Sequence, residues 1–155
     1  MAQNTISTAI LIIAGVIAAA ALINAAFPSL YNVAGSVTSV SESSSDRAKT
    51  DISIVSEGLD DGGSLHVYVK NTGRLAITAP NLAKTDVYYG TGSTMYQSQP
   101  LQYVIRDDNG NNNLDPGETL DITITAAGYD FTADQQSVAV VLYNGASASD
   151  TYRLE

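Results

Sequence analysis

NTISTAILIIAGVIAAAALINAAFP, residues 4–28, decides how the rest of the chain has to be arranged. From Thr5 to Phe27 it carries no charge, and the first charged side chain anywhere is Glu42. About 23 residues at about 1.5 Å each make roughly 35 Å of helix, enough to cross a hydrocarbon core of about 30 Å. Backbone groups in lipid must be paired within their own segment, so a run this long and apolar reads as one spanning helix. Ala14, Gly15, Ala18, Ala19, Ala20, Ala21, Ala25 and Ala26 are small. The Ala14/Ala18 and Gly15/Ala19 pairs have the four-residue spacing that lets helices approach closely. The expectation is an anchor that packs against other helices, with a featureless anchor as the alternative. A cleaved secretory signal needs a basic stretch before the apolar run, and Met1 to Ile6 hold neither Lys nor Arg, which leaves cleavage after the small residues near Ala26 as the lesser alternative. Without basic flanks the positive-inside rule gives no orientation. The large polar C-terminal part points to a bulk on the outer side.

Beyond this run, Pro28 removes a backbone donor and is expected to kink or restart the helix. Leu30, Val33, Ala34, Val37 and Val40 follow at three- and four-residue intervals, one face of a helical stalk reaching to about Lys49. Its Ser-rich end, SVSESSSD at 39–46, is a weak helix former and the expected hinge, or else a flexible linker. Residues 1–49 are thus expected to form a membrane-spanning helix and stalk, and 50–155 an extracytoplasmic domain.

From Thr50 the period changes from 3.6 to 2. DISIVSE, SLHVYVKN, LAITAPN, TDVYYG, PLQYVIRD, TLDITITA, QSVAVVLYNG and SDTYRLE are short runs rich in Ile, Val, Thr and Tyr. Turn signals separate them: DDGG at 60–63, NTG at 71–73, GTG at 90–92, NNNLDPG at 111–117 and NG at 144–145. About eight evenly spaced strands with no second helix predict an immunoglobulin-like β-sandwich, mainly β. TDVYYG at 85–90, with Tyr88 and Tyr89 on opposite faces, and the terminal SDTYRLE are the expected sheet edges.

Composition narrows the function. The chain has 155 residues and a net charge of −9, with 16 acidic against 7 basic side chains, all after residue 41. Such a surface disfavours nucleic acid and anionic headgroups and suits a salty or extracellular setting. There is no cysteine, hence no disulfide, thiol nucleophile or thiolate metal site. Tyr occurs nine times, Phe twice and Trp not at all, a balance suited to strands and binding surfaces.

One loop has the spacing of a cation site. In DDNGNNNLDPGE, 107–118, oxygen donors fall at positions one, three and five (Asp107, Asn109, Asn111). The carbonyl of Asn113 comes at seven, Asp115 at nine and Glu118 at twelve, a set that could wrap Ca²⁺. Asn112 stands where a calcium loop has Gly, strands rather than helices flank the loop, and only three carboxylates contribute. The alternative is an Asx-rich turn. Catalysis finds little footing. His66, the one histidine, lies mid-strand, and neither a Gly-x-Ser-x-Gly elbow nor a phosphate loop is present. The chain reads as a non-enzyme with no small-molecule substrate.

Span, stalk and sandwich together resemble the archaellin (archaeal flagellin) superfamily, and within it the FlaG-type accessory proteins. STAILIIAGVIAAAALI at 7–23, FPSLYNVAGSV at 27–37, RAKTDISIVSE at 47–57, VYVKNTG at 67–73, KTDVYYG at 84–90 and LDPGETLDI at 114–122 carry the resemblance. It implies a non-catalytic stator or accessory part of the archaellum, single-pass in the cell membrane with its sandwich outside. The implied partners are a FlaF-like accessory protein, an S-layer protein, or further copies of the chain. Archaellins resemble type IV pilins in carrying a short basic leader, and nothing of that kind precedes Ile6. They are also often N-glycosylated, and no Asn-x-Ser/Thr site occurs here. Both points set the expectation of an accessory protein, with a filament subunit or a Ca²⁺-dependent adhesion module as alternatives.

Overall fold

The computed structural model describes residues 2–92, 94–106 and 109–154, and for residues 2–5 the backbone alone. The chain divides into two compact units, 1–43 and 44–155.

The first element, α1, is one helix from Ala2 to Lys49. Pro28 lies inside it, so the expected restart does not occur. One missing backbone donor costs a single rung, and the rungs on either side persist. The expected hinge is helical too. The hydroxyls of Ser36, Thr38 and Ser43 donate to carbonyls four residues back and Ser39 to one three back, at 2.8–3.0 Å. Turned onto their own helix in this way, they share carbonyls with its backbone ladder, a slight weakening that leaves the helix unbroken.

The helix ends where the sandwich takes hold of it. Thr50 donates its N–H and its hydroxyl to Asp46 O (2.9 and 2.7 Å), and Arg74 N–H donates to Lys49 O at 2.8 Å. Thr72 and Gly73 N–H both reach Asp51 O at 3.0 Å. Gly73 sits so close that a Cβ there would lie 2.5 Å from Lys49 O and Asp51 N, which is why the NTG turn needs glycine at this point. Asn144 of the last turn donates to Thr50 Oγ1 at 3.0 Å.

Eight strands follow: β1 Ile52–Leu59, β2 Leu65–Asn71, β3 Asp86–Thr91, β4 Thr94–Gln97, β5 Gln102–Arg106, β6 Thr119–Ile124, β7 Gln136–Val141 and β8 Ser147–Tyr152. They make two four-stranded sheets, β1-β2-β6-β5 and β4-β3-β7-β8, every pairing antiparallel. Consecutive strands pair as hairpins that alternate between the sheets, and β2·β6 and β3·β7 join two hairpins into each layer. Alternation does what the sequence implies. Leu65, Val67 and Val69 of β2, Leu120, Ile122 and Ile124 of β6, and Val138 and Val140 of β7 face inward and are buried. Ile52, Ile77, Leu82, Val87, Leu114, Phe131 and Leu142 complete this core.

Three sequence expectations are corrected. LAITAPN is not a strand. Pro80 cannot donate to a ladder, so only Ile77 makes an isolated bridge, to Leu114, and Ala79–Leu82 form a one-turn helix, α2. A strand the periodicity does not reveal, β4, pairs with β3 after a turn in which Gly92 has φ +61°. Because β4 covers its flank, TDVYYG is an inner strand; the edges are β1, β5, β4 and β8.

Candidate functional site

The first candidate surface is α1 itself. It is long and apolar enough to cross a membrane, and its large apolar side chains from Ile6 to Val40 are exposed. From Ile23 onward the helix turns polar on most sides. Ile23, Ala26, Leu30, Val33, Val37 and Val40 nevertheless keep an apolar stripe at alternating spacings of three and four, the seam of a helix that meets another helix. If the bilayer takes the first 20 or so helical residues, Leu30, Val33, Val37 and Val40 lie past it, in need of a different apolar neighbour.

The second is the acidic loop between β5 and β6. Asp107 lies outside the described residues. The amides of Asn109 and Asn111 both donate to Asp115 Oδ2, at 2.8 and 2.9 Å, so these three side chains converge on one point. Asn109 and Asn111 also accept backbone N–H bonds from Asn111 and Asn113, at 3.0 and 2.6 Å, as a run of Asx turns. Glu118 accepts from Asp115 N–H at 2.9 Å. Asn112 takes φ +59°, the left-handed conformation that position six of a calcium loop requires.

Behind the loop stands an organiser that sequence reading passed over. Asn71, fully buried, donates to the carbonyls of Leu75 and Leu114 at 2.9 Å and accepts from Gly73 N–H at 3.0 Å. Its backbone adds bonds to Gly117 N–H (2.8 Å) and Glu118 O (3.0 Å). One asparagine therefore ties the loop to the turn that grips the end of α1. In the sequence it looks like any turn residue, because only its burial distinguishes it.

The third cluster lies on the outer face of the first sheet. Asp121, nearly buried, accepts from Arg106 Nη2 at 3.0 Å and lies 2.8 Å from Nδ1 of His66. Asp60, at 3.7 Å from His66 Nε2, has its carboxyl held below the usual range, chiefly by the N–H of Ser64. His66 is thus a half-buried neighbour of the Arg106–Asp121 ion pair. A fourth polar group sits where β1 nears β8. Burial, and then the charge of Asp150, push the Glu57 carboxyl above its ordinary pKa. Burial also pushes up the Tyr152 hydroxyl. Glu57 Oε1 and Tyr152 OH are buried without a hydrogen-bond partner among the described residues.

A β-sandwich preceded by a long, exposed, apolar helix defines the class: a structural protein whose helix requires an apolar partner. A family model for archaeal-type flagellin matches residues 2–152, and the chain belongs to that family. As a member it is an archaellum-related structural protein. It is 32% identical, over 98% of its length and 99% of the other's, to an uncharacterized protein of Archaeoglobus fulgidus. Among solved structures, the archaellum periplasmic stator protein FlaG of Sulfolobus acidocaldarius is similar at TM-score 0.54 and 18% identity, covering 66% of this chain and 99% of that one. A chain of the archaellum periplasmic stator protein complex FlaF and FlaG from the same organism matches at the same TM-score, over 89% of that chain. The archaeal flagellum of Methanospirillum hungatei is similar at TM-score 0.73 and 20% identity, over 97% of this chain and 93% of that one. The flagellum likeness establishes a shared fold over nearly the whole chain, and the two stator likenesses over about two thirds of it.

Proposed function

We propose that the chain is a FlaG-like, non-catalytic stator or accessory component of the archaellum. In this reading α1 crosses the cell membrane once, and the sandwich stands outside to meet a FlaF-like protein, an S-layer protein or further copies of the chain. The observation that supports it is the coverage of the FlaG likeness. It takes in 99% of the FlaG chain but 66% of this one. A 48-residue helix whose N-terminal half is apolar and exposed is at hand to do the anchoring. A stationary part has to resist torque, which calls for a grip in the membrane and a contact outside.

A second reading, a filament subunit, is favoured by a different observation: the filament likeness extends over 97% of the chain. The stripe from Ile23 to Val40 suits a filament core as well as it suits paired anchors. Shearing cells and assaying both fractions separates the two readings. Recovery with membranes, in small amounts relative to the filament protein, supports the stator; recovery as the bulk of the sheared filaments supports the subunit. We further propose that Asp107, Asn109, Asn111, Asn113, Asp115 and Glu118 hold Ca²⁺, which would stiffen the loop that Asn71 joins to the end of α1.

A further inference from the structure

The four edge strands differ in how they are protected. On one side of the sandwich β1 is broken by a register shift between Ile54 and Ser56. It also places the half-buried Glu57 opposite the buried Val67, and β8 sets the charged, exposed Asp150 opposite Val138. Bulges and charged side chains are the devices that stop an edge from accepting another strand. On the other side β4 has four residues, all exposed. β5 is different. It runs in unbroken register along β6 from Gln102 to Arg106, and among the described residues no backbone hydrogen bond closes its other side. Tyr103 and Ile105 pack against the core, while Val104 stands outward and 59% exposed. Two hollows flank this open edge. Ala79 and Asn112 border one, and Lys84, Gln99 and Pro100 the other; Thr85, in the second, keeps a buried hydroxyl without a hydrogen-bond partner among the described residues.

We propose that the open edge of β5 pairs antiparallel with β5 of a second copy of this chain, joining two sandwiches into one continuous sheet. The occupant follows from the strand's own sequence, Gln-Tyr-Val-Ile-Arg. Centred on Val104, antiparallel pairing sets Gln102 opposite Arg106 of the partner subunit, Tyr103 opposite Ile105 of the partner subunit, and Val104 opposite its counterpart. Polar meets polar, apolar meets apolar on both faces, and no like charges are opposed. Moving the centre to Ile105 sets Val104 against Arg106 of the partner subunit. Moving it by half a step brings the inward side chains opposite outward ones. The register centred on Val104 also extends the inner layer of Tyr103 and Ile105 across the junction. Main-chain bonds supply the attachment and the side chains its selectivity.

The test uses the absence of native cysteine. Full-length chains carrying either Val104→Cys or Ser149→Cys, the latter on β8, are purified in detergent and treated with a short bismaleimide. Opposed Cβ atoms in an antiparallel pair lie about 4.5–5.5 Å apart, so Val104→Cys should run largely as a covalent dimer while Ser149→Cys stays monomeric. Val104→Lys opposes two like charges at an exposed position. At low salt it should reduce the dimer fraction severalfold with circular dichroism unchanged. A monomeric Val104→Cys protein, or equal cross-linking at both positions, overturns the proposal.

Discussion

Val67 in the sandwich and Leu11 in α1 are both aliphatic, yet one is 0% exposed and the other 72%. The contrast holds for most apolar residues of the two regions, with Val55, Tyr96 and Val104 among the exposed exceptions in the sandwich. The sandwich closes its apolar residues between two sheets, while α1 presents Ile6, Ile10, Val16, Leu22, Leu30, Val37 and Val40 on its surface. About 25 cal/mol per Å² of apolar surface drives each of these side chains out of water. In the sandwich the chain meets that demand by itself; in α1 it can be met only by lipid or by another helix. The sandwich is therefore a self-sufficient fold, and the helix is half of an interface.

That contrast is most open to challenge through paired substitutions. Ile122→Ala should cost about 2–5 kcal/mol by leaving a cavity between the sheets. The thermal midpoint of the full-length protein in detergent should then fall by about 4–20 °C, at about 2–4 °C per kcal/mol for a chain of this length. Val37→Ala on the stripe should leave the midpoint within about 1 °C, as an exposed position with no intrachain packing. If both lower it equally, α1 is not an unpartnered surface. Val16→Lys attacks the helix in turn. A lysine at the centre of a span costs about 2.5–3.5 kcal/mol, so the protein should move from the membrane fraction toward the soluble one with its sandwich intact.

A smaller effect concerns the acidic loop between β5 and β6. If it holds Ca²⁺, a hundredfold excess over the dissociation constant stabilises the folded chain by about 2.7 kcal/mol. The midpoint should rise by several degrees, and Glu118→Ala should abolish the rise. No change at millimolar Ca²⁺ would leave the loop as a purely Asx-bonded turn. The smallest effect belongs to the seam where β1 nears β8. The Glu57 carboxyl has a raised folded-state pKa, so the folded chain binds its proton more tightly than the unfolded chain. Stability then falls as pH rises through a window that opens near the ordinary carboxyl value of about 4.3 and extends upward. Removing the charge with Glu57→Gln should raise the midpoint at neutral pH by roughly 1–2 °C, since exposure to solvent screens the effect. The gain should vanish in acid. Asp60 and Asp130, whose pKa values are lowered, act in the opposite sense, with stabilisation lost as pH falls below about 3.9.

The sequence reveals what depends on period and composition. An uncharged run from Thr5 to Phe27 and alternation at 65–69 and 119–124 suffice for the helix, the layers and the core. It misleads where one residue type serves two ends. Pro80 sits in an apolar run that resembles a strand and instead opens a turn of helix. Ser36 to Ser43 look like helix breakers until their hydroxyls are seen to bond backward along α1. β4 has no buried face and hence no alternation to detect. Asn71 and Asp121 occupy positions where a solvent-facing polar residue would read identically, so their burial and bonding emerge only from the packing. Of the loop at 107–118, the convergence of Asn109, Asn111 and Asp115 follows from the spacing.

The role assigned to the chain is tested most directly in a deletion strain. Cells lacking this protein should still make the filament protein but lose swimming, and the full-length chain supplied in trans should restore it. Cells that swim normally without it would contradict a stator or accessory role in the archaellum.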